Sequence, residues 1–230
     1  MKYQNPFKTL SLFQWILWIS SLVVITTCFL LVPDKDYLTL VACLVGATAL
    51  ILVGNGDPFG QILCIVFSLI YAVISYTYKY YGEMITYLFM SAPAALLCAI
   101  EWFKHPHREG ENQVRVATLT KKKWLILFAS VILATVIFYF VLEYFGTNNL
   151  IVSTISVTTS WLAALLTMFR SPYYGLAYAF NDIVLIVLWI MASIVDVSYV
   201  PMIVCFVVFL LNDLYGFYNW TRIKNRQTND

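Results

Sequence analysis

Residues 13–32, FQWILWISSLVVITTCFLLV, decide the fold, because twenty consecutive residues carry no charge. A bilayer core about 30 Å thick is crossed by roughly 20 apolar residues in a helix. The run is longer than the apolar core of a secretory signal and lacks a small-residue cleavage site, so a retained first helix is expected. The rest of the chain repeats the pattern. Of 230 residues, 61% are apolar and 11% charged, against roughly 25% charged in a soluble domain, and no water-soluble fold of this size hides so much apolar surface. Segmentation at polar interruptions and turn formers gives further spans at 37–54, 60–79, 83–103, 123–145, 149–169, 173–195 and 199–220. The breaks carry turn chemistry: Pro33-Asp34-Lys35-Asp36, Gly54-Asn55-Gly56-Asp57-Pro58, Tyr81-Gly82-Glu83, Gly146-Thr147-Asn148-Asn149 and Arg170-Ser171-Pro172. The expectation is an all-α integral membrane protein of about eight transmembrane helices, with residues 1–230 forming a single membrane domain.

Charge orients it. The one long connection, residues 104–122, is basic and is the expected cytoplasmic loop. With eight spans this loop shares a side with both termini, the turn before Pro58 and Arg170. That side holds Lys2, Lys8, Lys104, Arg108, Arg115, Lys121, Lys122, Lys123, Arg170, Arg222, Lys224 and Arg226; the other holds only Lys35 and Lys79. Both termini are therefore expected in the cytoplasm of a multi-pass plasma-membrane protein.

The chain also resembles itself. Asp57-Pro58-Phe59-Gly60 opens the third span and Ser171-Pro172-Tyr173-Tyr174-Gly175 the seventh, while Glu101-Trp102-Phe103-Lys104 closes the fourth and Asn219-Trp220-Thr221-Arg222 the eighth. Residues 37–103 and 149–220 read as two three-helix units, joined by a linker helix at 123–145 and preceded by the extra helix at 13–32. One intervening span makes them parallel repeats, an arrangement that holds substrate between its halves near the midplane. The alternative is that Pro-aromatic-Gly and terminal Trp are ordinary interface punctuation.

Polar groups inside the membrane cost about 2.5–3.5 kcal/mol on insertion scales and need a partner or a wet cavity. The seventh span carries Asn181-Asp182, with Tyr178, Leu185 and Trp189 at helical spacing from Asp182. The eighth carries Asn212-Asp213, with Asn212, Tyr215 and Asn219 on one face and Asp213, Gly216 and Trp220 on the next. Gln61, Cys64, Ser68, Tyr71, Ser75 and Tyr78 form a stripe on the third span, and Ser153, Ser156, Ser160 and Thr167 one on the sixth. The Ser and Thr positions suit close helix packing. For the two Asn-Asp pairs, an interhelical clamp and a substrate contact are both open.

Absences narrow the chemistry. There is no P-loop, no HExxH or GxSxG and no metal-ligand spacing, so neither an enzyme nor a bound cofactor or metal is expected. The five cysteines sit in apolar runs without pairing motifs and read as reduced. Nothing resembles a nucleic-acid footprint. Without a membrane-embedded Lys or Arg, the pocket suits a neutral or cationic, ring-bearing polar molecule.

Four features together resemble the PnuC family of nicotinamide riboside transporters over nearly the whole length: Pro58-Phe59-Gly60, Tyr80-Tyr81-Gly82-Glu83, Asn181-Asp182-Ile183-Val184, and Asn212-Asp213-Leu214-Tyr215-Gly216-Phe217-Tyr218-Asn219-Trp220. The resemblance implies an extra helix followed by a 3-1-3 parallel-repeat, SWEET-like bundle, assembled as a homotrimer among membrane lipid. It implies uptake of a nucleoside-like vitamin by facilitated diffusion, with phosphorylation in the cytoplasm trapping the product. The substrate-binding residues it suggests are Tyr178, Asn181, Asp182 and Trp189, Asn212 and Tyr215, and Gln61 and Tyr71, none catalytic. One departure stands out: the family's Trp-x-x-Trp positions fall on Gly175 and Tyr178, which would leave a roomier, less electron-rich slot. Thiamine, riboflavin or a deoxynucleoside is the alternative cargo, and a membrane subunit serving an ATPase partner the alternative class.

Overall fold

The computed structural model describes residues 4–32, 35–77, 81–147 and 149–229. Lys2, Pro33, Asp34, Tyr78, Lys79, Tyr80 and Asn148, which entered the reading above, lie outside the described residues. Among the described residues, eight helices are long and apolar enough to cross a membrane: α1 Leu12–Leu31, α2 Tyr37–Gly54, α3 Phe59–Thr77, α4 Tyr81–Lys104, α5 Lys121–Tyr144, α6 Leu150–Met168, α7 Tyr174–Val195 and α8 Val200–Asn229. Most limits fall within two residues of the sequence reading. The exception is α8, which continues past Trp220 to Asn229.

Local chemistry explains where the helices begin and end. Ser11 and Gln14 form a capping box at the start of α1. At its end the Lys35 ammonium donates to the carbonyls of Phe29, Leu30 and Val32, which have no partner within the helix. Asp36 caps α2, and Asp57 Oδ1 accepts from the Phe59 amide at the start of α3. A π turn, Tyr87–Ser91, interrupts α4, with the Ala92 amide reaching back five residues to the Tyr87 carbonyl. Pro93 follows directly; its ring excludes the carbonyl four residues back, and the widened turn makes room for it.

Six helices close a ring in the order α2, α3, α4, α6, α7, α8, and α8 returns to α2. Outside it, α1 packs on α2 and α8 and α5 on α6. Trp161 Nε1 donates to Ser130 Oγ at 2.9 Å and Thr135 bonds Thr158 at 2.8 Å, tying α5 to α6. The outer face of α5 exposes Leu125, Phe128, Ile132, Leu133, Val136 and Phe140, a surface suited to lipid.

The turns after α2 and α6 match atom for atom. Gly56 at φ 76° and Arg170 at φ 58° each lie two residues before a proline. Their amides bond the carbonyls of Val53 and Thr167, and the next amides, Asp57 and Ser171, bond Leu52 and Leu166. The same Val53 carbonyl accepts the Trp220 indole N–H at 2.8 Å, and the same Thr167 carbonyl the Trp102 indole at 3.0 Å. The two indoles lie 5.1 Å apart, and through them α8 caps the end of α2 and α4 the end of α6. The 104–120 connection bonds both turns, Val114 N to Gly56 O and Ala117 N to Arg170 O. Burial pulls the Arg170 guanidinium below its usual pKa, and Glu101, 3.7 Å away, opposes that shift.

Both chain ends join this face. Gln4 and Asn112 exchange hydrogen bonds, while Gln227 accepts from Val116 N and donates to Val114 O. The last turns of α8 leave the apolar layer because the loop supplies polar partners for them.

Candidate functional site

The ring encloses a cavity of about 100 Å³, well above the ~10–15 Å³ that one water requires. It lies between two aromatic layers. On the side of the termini are Tyr174, Trp102 and Trp220; on the far side are Tyr71, Trp189, Phe206 and Phe209.

Five helices bring polar groups to it. From α7 come Tyr178, Asn181 and Asp182, from α3 Gln61, Cys64 and Ser68, from α8 Asp213, from α6 Ser160, and from α4 Tyr87 and Ser91. Asn181 Oδ1 accepts from Thr159 Oγ1 at 2.7 Å and Ser160 Oγ at 3.1 Å, both on α6. With its carbonyl so occupied, its amide NH₂ remains as the donor available to a ligand. Asp182 is 3% exposed and Asp213 4%. Both carboxyls line the cavity, and Asp182 Oδ2 has no hydrogen-bond partner. An unpartnered acceptor in hydrocarbon is costly, and a ligand hydroxyl or cation would relieve it. Among the described residues, no Lys, Arg or His lines the cavity. Its walls are Phe67, Tyr87, Phe206 and Phe209, with Phe67 edge-on to both Tyr87 and Phe209.

The suggested residues therefore divide. Tyr178, Asn181, Asp182 and Gln61 come together on the cavity. Tyr71 and Trp189 do not line it; Trp189 Nε1 donates to Tyr71 Oη at 3.1 Å, and the Tyr71 ring sits 4.2 Å from that of Tyr87, so the pair backs a wall residue. Asn212 points away, donating to Ser21 Oγ on α1 at 3.1 Å. Tyr215 packs against Phe13, 5.2 Å between rings, at the edge nearer the termini. On α8 it is the neighbouring face, with Asp213, that meets the cavity.

The slot expected at Gly175 is absent. A Cβ there would lie 2.6 Å from both Asp213 O and Phe217 N, because the α8 backbone already fills the space. Gly175 is where α7 and α8 touch, and only Tyr178 of those two positions faces the cavity. Sequence reasoning also missed α4, whose π turn turns Tyr87, Met90 and Ser91 inward. Pro93 was the available signal. Among the described residues, no group of three or more His, Cys, Asp or Glu is placed to hold a metal ion.

The family described as nicotinamide mononucleotide transporter matches residues 36–222. A nicotinamide riboside transporter PnuC of Neisseria mucosa is 26% identical over 204 residues, covering 87% of this chain and 77% of that protein. That of Haemophilus influenzae is 24% identical over 195 residues, covering 84% and 83%. A crystal structure of the vitamin B3 transporter PnuC superposes with a TM-score of 0.83 at 26% identity, covering 95% of this chain and 94% of the other.

Proposed function

The chain belongs to the nicotinamide mononucleotide transporter family, which includes the PnuC proteins, and from that premise we propose that it takes up nicotinamide riboside by facilitated diffusion. It is a multi-pass membrane transporter of the PnuC type. The carrying observation for the substrate is the cavity: buried carboxyls, an amide donor and aromatic walls, with no cationic side chain. A ring-bearing cation finds stacking surfaces there and an anion finds none of its usual partners.

In this reading Tyr178 stacks on the ring, Asn181 donates to a hydroxyl, and Asp182 and Gln61 bond the ribose. Tyr71 and Trp189 hold the Tyr87 wall, and Asn212 and Tyr215 fix α8 against α1. Transport follows the gradient, and phosphorylation in the cytoplasm retains the product. The matched turns and reciprocal indole bonds support two parallel three-helix units, residues 37–103 and 149–220, in a SWEET-like 3-1-3 order. The concentration of Lys and Arg around the 104–122 loop supports a cytoplasmic location for that face and both termini. A homotrimer is part of the proposal, and the mass of the protein in nanodiscs tests it.

Uptake of labelled nicotinamide riboside into proteoliposomes, competed with thiamine, riboflavin and deoxynucleosides, tests the substrate. Saturable flux blocked most strongly by unlabelled nicotinamide riboside is expected; no saturable flux for any of them would overturn the reading. Enclosing a riboside kinase and ATP should convert equilibration into accumulation.

A further inference from the structure

A second, larger hollow lies on the face that carries the termini. It encloses about 650 Å³ between the start of α1, the α2–α3 turn, the long loop and the last turns of α8. Arg222 and Arg226 project into it at i, i+4 spacing, with Phe13, Tyr215 and Tyr218 as aromatic walls and amides from Asn55, Gln113 and Asn219. Among the described residues none of its lining is acidic; Asp57 and Glu111 line an adjoining hollow, with which it shares Asn55, Gln113 and Arg226 as a common wall. Both guanidiniums are held in place: Arg226 Nη2 donates to Gln113 Oε1 of the loop, and Arg222 lies 5.7 Å over the Tyr218 ring.

Two oriented guanidiniums, in a hollow with no carboxylate among its described lining residues, match the oxygen geometry of a phosphate. The ring faces of Phe13, Tyr215 and Tyr218 add contacts for whatever carries it, while the amides of Asn55, Gln113 and Asn219 donate to Thr9, Asn55 O and Gly54 O and so stiffen the walls. The charge is opposite to that of the transport cavity, although α8 lines both: Asp213 meets one and Arg222 the other, nine residues or about 14 Å further along the helix. We propose that this hollow is a binding site for a phosphate group, separate from the transport cavity, with Arg222 and Arg226 as its charge partners. The phosphate can belong to a soluble phosphomonoester or to a lipid headgroup, and this proposal does not depend on which vitamin is carried.

The test uses purified full-length protein in neutral detergent. Thermal stability is followed against inorganic phosphate and nicotinamide mononucleotide, with potassium chloride at matched ionic strength as control. Native mass spectrometry from mixed micelles compares retention of phosphatidylglycerol with that of phosphatidylcholine. At least one phosphate probe should bind beyond its control, and R222Q/R226Q should weaken that binding about tenfold or more. Stabilisation by the soluble probes assigns a phosphomonoester site, and selective retention of phosphatidylglycerol a headgroup site. Should the double variant misfold, R222Q alone keeps the test, since Arg222 is exposed and makes no clasp to the loop. Binding of no phosphate probe beyond its control, or binding unchanged in both variants, would overturn the proposal.

Discussion

Replacing Gly175 by alanine tests the helix contact on which the cavity depends. The added Cβ would sit 2.6 Å from Asp213 O and Phe217 N and 3.0 Å from Phe217 Cα. All three are backbone atoms of α8, so no rotamer change relieves the contact. Reaching ordinary separation requires α7 and α8 to part by about 0.8 Å, and overpacking of that kind costs ~1–3 kcal/mol. Alanine returns up to ~1 kcal/mol of helix propensity, which leaves a net loss of about 1 kcal/mol at the middle of the range and about 2 at its upper end. At roughly 2–4 °C per kcal/mol for a chain of this size, detergent-solubilised protein should melt several degrees lower. Gly175→Trp, which restores the family's aromatic pair, should then fail to assemble rather than bind ligand more tightly. A G175A protein as stable as wild type, together with a G175W protein of raised affinity for nicotinamide riboside, would refute the reasoning and return Gly175 to the cavity.

Trp220→Phe removes the indole donor to Val53 O and should cost about 1 kcal/mol of stability, and W102F the same; in a double-mutant cycle the pair should deviate from additivity because the rings touch. Asn181→Asp replaces the free NH₂ donor by an acceptor while keeping an oxygen for Thr159 and Ser160, so ligand affinity should fall about tenfold or more, read as a lost ligand-induced thermal shift. Asn212→Ala severs the bond to Ser21 and should lower the melting temperature while leaving that ligand-induced shift unchanged; loss of binding there would bring Asn212 back to the site.

The spans were legible because apolar length is a direct reading of bilayer thickness, and each break carries its own turn residues. The faces were less so. Asp182 and Trp189 share a stripe on α7, yet seven residues separate them by about 10 Å along the axis, and only the nearer one reaches the cavity. On α8 two adjacent faces both carry polar residues, and which of them turns inward is settled by Gly175, whose close approach to the α8 backbone at Asp213 and Phe217 fixes the rotation of α8 against α7. The contribution of α4 was hidden because a π turn shifts the register by one residue, so a stripe drawn at 3.6 residues per turn points Tyr87 and Ser91 the wrong way. The doubled Pro–Trp pattern did carry information about contacts, because both prolines follow the turns whose carbonyls receive the two indoles.

The 104–120 connection shares its amides with both turns, both chain ends and the last turns of α8, so it is a cross-brace and a poor place to cut or lengthen the chain. Its tip is bonded to the N-terminal segment, Gln4 Nε2 donating to Gly110 O at 2.8 Å, and not to the turns or α8. Gly110 has φ 84° and open space where a side chain would go. A reporter peptide inserted at that residue should cost the Gln4 bond while leaving the bonds to both turns and to α8 intact, and its susceptibility to added protease in right-side-out vesicles would tell which compartment the brace faces.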